Sequence, residues 1–141
     1  MTEITRDDFE SVTLLTIDEY ENSKALISHS KSWWWLRSPG AYNNAAAYVF
    51  IDGDVYPDGF LVNKAAGVRP AFKLEFMKAS ELNPGDKVQV GKYTATVLYD
   101  DMLLLDSFVT KHVFDEESNV WRKSAIKKYI ESEEFLSLIF D

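Results

Sequence analysis

Three carboxylates stand within seven residues in the run Asp52-Gly53-Asp54-Val55-Tyr56-Pro57-Asp58-Gly59. Oxygen ligands so closely spaced could hold a calcium ion. The run departs from an EF-hand loop at its middle ligand position, which is Tyr56, and at its twelfth, where Asn63 replaces the bidentate Glu. Turns at Asp52-Gly53 and at Pro57-Asp58-Gly59 account for the same residues without an ion, so no metal site is assigned. His29 lies between Ser28 and Ser30, which invites a nucleophile and its base, but no Gly-x-Ser-x-Gly elbow is present. Adjacency in sequence is not triad geometry. His112 is the only other histidine and there is no cysteine, too poor a ligand set for zinc or for thiolate chemistry. Asp115-Glu116-Glu117 and Glu131, Glu133 and Glu134 read as solvated charge, and nothing pairs two of them for acid–base work. No phosphate-cradling glycine loop occurs. No catalytic residue and no cofactor is therefore assigned.

Residue types suited to contact are better represented. Trp33, Trp34 and Trp35 are consecutive, in Ser32-Trp33-Trp34-Trp35-Leu36-Arg37-Ser38-Pro39-Gly40. Neither a helical stripe nor a strand alternation over one buried face explains three adjacent indoles. Trp34 and Trp35 are assigned to the core, where an indole buries a large area and needs one N–H partner. Trp33 is the ring expected to face a ligand. Tyr42, Asn43 and Asn44 follow, adaptable contact residues, and Tyr56 and Asp58 lie on the next hairpin. Arg37 and Arg69 are expected to hold loops together by hydrogen bonds from a partly buried guanidinium.

The elements that must position these groups read as mixed α+β. Val12–Ile17 reads as a buried strand, followed by a helix over 18–26 with its acidic residues in the first turn. Residues 29–44 read as a structured loop carrying the tryptophans. Ala46–Ile51 is a strand closed by the Asp52-Gly53 turn. Val55-Tyr56 returns, Pro57-Asp58-Gly59 turns again, and Phe60–Val62 and Val68–Phe76 are further strands. Lys78–Asp86 is a surface connection. Lys87–Val90 and Tyr93–Leu98 form a hairpin about Gly91, and Met102–Leu105 is a more buried strand. A second helix, Trp121–Ile130, places Trp121, Ala125, Ile126, Tyr129 and Ile130 on one face. The tail through Phe140 is apolar enough to pack.

At 141 residues the length suits one domain with a sizeable core, and 46% hydrophobic and 14% aromatic content argues against disorder. A net charge of −8 repels phosphate, so nucleic acid and anionic membrane are not expected partners, whereas a neutral or cationic partner is. The start, Met1-Thr2-Glu3-Ile4-Thr5-Arg6-Asp7-Asp8, is unlike a signal peptide, and no apolar run approaches a membrane span. The expectation is a cytoplasmic protein, with a phage-associated one also compatible.

Trp34-Trp35-Leu36-Arg37-Ser38-Pro39-Gly40, Asp52-Gly53 and Gly67-Val68-Arg69-Pro70-Ala71 resemble the closing motifs of a bacterial domain family common in Firmicutes. The second half is similar to that family's opening: Gly85-Asp86-Lys87-Val88 to Tyr93 resembles its first hairpin, and Trp121-Arg122-Lys123-Ser124 to Phe135-Leu136 its helix. The order is thus inverted, with a family-tail half at 1–76 and a family-head half at 77–141. Either the chain is a circularly permuted single domain, or it joins the tail of one domain to the head of another and is completed by swapping between subunits. The family in turn is remotely similar to the C-type-lectin-like fold of formylglycine-generating enzymes. That resemblance implies small twisted antiparallel sheets with two helices, pinned by tryptophans and the GVRPA strand, with loops forming a ligand face. It implies a non-enzymatic binding or interaction module for a protein or a glycan. The alternative is a structural or assembly protein of a phage or mobile element, a homo-oligomer formed through an aromatic surface.

Overall fold

The computed structural model describes residues 1–141. Eleven strands form: β1 (Glu3–Ile4), β2 (Phe9–Thr13), β3 (Trp34–Pro39), β4 (Ala45–Val49), β5 (Val55–Leu61), β6 (Ala65–Val68), β7 (Ala71–Leu74), β8 (Lys87–Val90), β9 (Tyr93–Val97), β10 (Met102–Leu105) and β11 (Thr110–Val113). Four short helices accompany them: α1 (Ile17–Ser23), α2 (Phe76–Ala79), α3 (Ala125–Ile130) and α4 (Glu133–Phe140). The six-stranded sheet runs β1-β8-β9-β10-β7-β2 and the five-stranded sheet runs β11-β6-β3-β4-β5. All pairings are antiparallel except β1 with β8 and β3 with β6. The α+β class holds; two helices were expected and four form. No helix is long and apolar enough to cross a membrane.

The first helix is displaced from expectation by its cap. Thr16 accepts from the Glu19 backbone N–H while the Glu19 carboxylate accepts from the Thr16 N–H, a reciprocal capping box. That box starts α1 at Ile17 and ends the preceding strand at Thr13, earlier than the apolar run Val12–Ile17 suggests. Likewise Ser132 caps α4 by accepting from the Phe135 N–H, and the tail that was expected only to pack becomes a helix burying Phe135 and Ile139.

The tryptophan run is a strand, not the expected loop. Alternation along a strand sends successive side chains to opposite faces, and here both faces are covered. Trp35 joins a core cluster with Phe72, Phe114, Ile126 and Phe135, whereas Trp34 joins a second with Leu15, Tyr20, Leu36 and Leu104. Both clusters draw residues from 1–76 and from 77–141. The segment Val68–Phe76, expected as one strand, breaks at Arg69-Pro70: β6 pairs in the five-stranded sheet and β7 in the six-stranded one. The chain thus crosses between sheets at a proline, which cannot donate to either ladder.

β4 is flanked by a bulge on each side at the same point. Leu36–Ser38 on β3 and Pro57–Gly59 on β5 each oppose the single residue Ala47. The expected turn at Pro57-Asp58-Gly59 is therefore the β5 bulge, and the strand continues through it. Gly59 sits at φ +87°, and a Cβ there would lie 2.5 Å from the Ala46 carbonyl oxygen, so only glycine fits. The β3 bulge frees Arg37 N–H to donate to Leu15 O at 2.9 Å, which ties β3 to the lead-in of α1.

Candidate functional site

The five-stranded sheet carries an uncovered stretch of aromatic surface. Tyr48 on β4 pairs directly with Trp35 on one side and Tyr56 on the other, and Ala46 pairs with Phe60. These positions share the face on which Trp35 enters the core. Phe114 closes over Trp35, with ring centroids 5.7 Å apart. Toward the β5 edge the cover ends. Trp33 stands edge-on to Trp35, Tyr48 and Phe60 at 5.4, 5.0 and 5.3 Å, and Tyr48 stacks on Tyr56 at 5.0 Å. Trp33, Tyr48, Phe50 and Phe60 line a shallow dip of about 160 Å³. Tyr56 and Phe60 remain about 42% and 41% exposed. Burial, together with the neighbouring Tyr56 phenol, pushes the Tyr48 hydroxyl above its ordinary pKa, so it stays a neutral donor.

The expected contact residues divide. Trp33 and Tyr56 are brought into this patch, although Trp33 is half-buried rather than the open ring expected, because its neighbours Trp35 and Tyr48 grip it. Tyr48, Phe50 and Phe60 were not singled out in sequence; the parity of Trp33, Trp35, Tyr48 and Phe60 across a paired sheet would have placed them. Asn44 lines a separate groove of about 240 Å³ beside Leu61, Glu116 and Glu117. Tyr42 and Asn43 sit on the β3–β4 turn. Asn119 fixes that turn by donating its side-chain amide to the Tyr42 and Ala45 carbonyls and its backbone N–H to Asn43 O. Tyr42 is 74% exposed on this pinned turn. Asp58 is exposed in the β5 bulge, and its carbonyl accepts from Ala41 N–H. Asp52 accepts from the Asp54 N–H, and Asp54 faces Lys24 at 3.8 Å. The three aspartates belong to no group of three metal-ligating side chains.

The residues expected to serve the fold make contacts within the chain. Arg69, 1% exposed, donates from Nε to Leu105 O at 2.6 Å and from Nη1 to Ser28 O at 2.9 Å, and its guanidinium lies 5.0 Å from the Trp34 ring. Burial pulls its pKa down to about 10. Arg37 donates from Nη1 to Thr13 Oγ1 and lies 3.4 Å from Glu19. Trp121 packs on Phe114 in a 3-10 turn ahead of α3, rather than on the helix itself. Trp35 donates its indole N–H to His112 O at 2.9 Å.

A polar cleft of about 400 Å³ lies between the halves, walled by Arg37, Lys73, Lys127, Glu19, Glu131 and Trp121. Its ionic groups are largely engaged: Arg37 with Glu19, Lys127 with Glu131 at 2.8 Å, and Lys73 with the Asp100 carbonyl. Neither histidine lines it. His112 stacks on Tyr129 at 4.3 Å, and His29 packs against Gly53. A larger depression of about 560 Å³ lies between the chain ends, where Arg6 is held by Glu133.

No curated protein matches the chain, and no solved structure matches it. A family model matches residues 4–76, just over half of the chain, and includes β3, the patch on β4 and β5, and Arg69. By this match the chain belongs to the family described as a domain of unknown function, DUF6273.

Proposed function

We propose that the chain is a non-enzymatic binding module whose contact surface is the aromatic patch of Trp33, Tyr48, Tyr56 and Phe60, and whose ligand is a protein or a glycan. The observation that carries the proposal is a set of mutually packed rings on a sheet face that stays open to solvent at the β5 edge. Contiguous exposed apolar surface marks interaction sites, and Tyr and Trp supply large contact area at low entropic cost. The engagement of His112, Glu19 and Glu131 in other contacts supports a role other than catalysis. Glycan and peptide arrays probed with the native chain and with a Tyr56→Ala/Phe60→Ala variant test it. Binding lost in a variant that still melts like the native protein is expected. Binding unchanged in the variant, or none at micromolar concentration, removes the proposal.

The alternative, a phage or mobile-element assembly protein, draws on the exposed Tyr56, Phe60 and Leu61 of edge strand β5. Pro57 and the bulge on that strand oppose strand-to-strand pairing. A monomer mass by light scattering that does not rise with concentration excludes this alternative.

We also read the fold as lectin-like and circularly permuted. Arg69 stacking on Trp34 supports the expected pinning of a sheet by the tryptophans and the GVRPA strand. The family match stops at Phe76, where the exposed connector begins, and the two ends lie together across Arg6 and Asp141 at 3.9 Å. A chain with its ends joined through a short linker and reopened at 81–84 should fold to the same stability. An unfolded or swapped product rejects permutation.

A further inference from the structure

The geometry points to an extended, Lys- or Arg-bearing peptide segment as the occupant of the aromatic patch, an inference that rests on the patch being the contact surface. From Ser38 to Asn63 the chain holds no lysine or arginine but three aspartates. Asp58 stands on β5 between Tyr56 and Phe60, exposed and in no ion pair. At the end of β5, Asn44, Leu61, Val62 and Asn63 border the groove walled by Glu116 and Glu117, both exposed and also without a cation. Rings flanked by unpaired carboxylates suit a cation twice over. The faces of Trp and Tyr attract Lys and Arg through their quadrupoles, and the flanking carboxylates attract the same charge and the aliphatic stems cover the apolar rings. A segment lying along β5 would set one cation over the rings and another at Glu116 and Glu117. The protein's charge of −8 steers the same class of partner toward it.

The test is a random-peptide display library panned on the full chain, each pool counter-screened against Tyr56→Ala/Phe60→Ala and against Asp58→Asn/Glu117→Gln, with all variants checked for native melting. Expected are patch-dependent peptides enriched in Lys and Arg, weakened about fivefold by the Asp58→Asn/Glu117→Gln change and weakened further by raised salt. Patch-dependent peptides without that enrichment, or insensitive to salt and to the carboxylate change, overturn the cationic partner while leaving the patch as a contact surface. No patch-dependent peptide at all overturns this inference, and a glycan bound through the same rings would then still sustain the broader proposal.

Discussion

Replacing Arg69 by Met separates a fold-holding arginine from a ligand-binding one. The guanidinium spans Leu105 O, Ser28 O and the face of Trp34. Met keeps the stem and loses every donor. Ser28 lies at the surface, so its carbonyl can regain water; Leu105 is fully buried, so its carbonyl is left dry. Orphaning one buried acceptor costs about 1–3 kcal/mol, and loss of a desolvated cation–π contact about 2 kcal/mol. Release from holding a buried charge offsets part of this, so a net loss of about 3 kcal/mol is expected. For a chain of this size that lowers the melting temperature by roughly 10 °C. Arg69→Lys should cost at least as much, because a compact, strongly hydrated ammonium cannot span both carbonyls. Because the folded pKa of about 10 lies below the unfolded one, the cost of burying the charge is fully present at neutral pH and is relieved only as pH rises through that value. The deficit of the Met variant should therefore be constant from about pH 5 to 9. Urea unfolding followed by circular dichroism measures it. A Met variant within about 0.5 kcal/mol of native, the size of an ordinary surface change, or full rescue by Lys, would refute the assignment.

Other outcomes follow from local chemistry. Asp106 is partly buried, which works to raise its pKa, but donors on Thr96, Thr94 and Lys87 outweigh this and hold it below the ordinary range. Its stabilisation is therefore complete above the unfolded value of about 3.9 and is lost as pH falls through the lower folded value. Asp106→Asn should cost about 2 kcal/mol at neutral pH and progressively less below about pH 4; a deficit that does not shrink in acid contradicts this. Asp100 and Asp101 both sit at φ +62° in the β9–β10 turn, and neither carboxylate makes a hydrogen bond that would compensate. Asp101→Gly should raise stability by up to about 1 kcal/mol, read as a higher urea midpoint at unchanged slope; a lower midpoint shows that the carboxylate is needed.

How far the sequence carried depends on the range of the interactions involved. The hairpin at Lys87–Val97 and the strand at Met102–Leu105 were legible because turn chemistry and local alternation fix them. The intrachain hydrogen bonds of Arg37 and Arg69 are of the kind that their residue type suggests. The β3 strand was not legible, because a strand covered on both faces has no alternation to read, and what covers Trp35 is Phe114, far along the chain. β11 was missed for the opposite reason: Thr110-Lys111-His112-Val113 has almost no apolar pattern and is held by its pairing with β6. The aromatic patch was half legible. Trp33 and Tyr56 were named from residue type, whereas Tyr48 and Phe60 required the register across β4 and the bulges at Ala47.

Trp34 and Trp35 send one strand into two cores, and this has a consequence for how the molecule opens. If the two clusters sat on separate elements, each could melt as its own cooperative unit. Here the peptide between Trp34 and Trp35 belongs to both, so neither cluster can lose its indole without moving the backbone that holds the other. β3 is thereby a shared spine, and its amides should exchange with solvent only through global unfolding, among the slowest in the chain, while the β5 edge and the exposed α2 connector exchange by local fluctuation. Slow protons in the middle and fast ones at the rim would let the aromatic edge adjust to a partner without loosening the sheet that presents it.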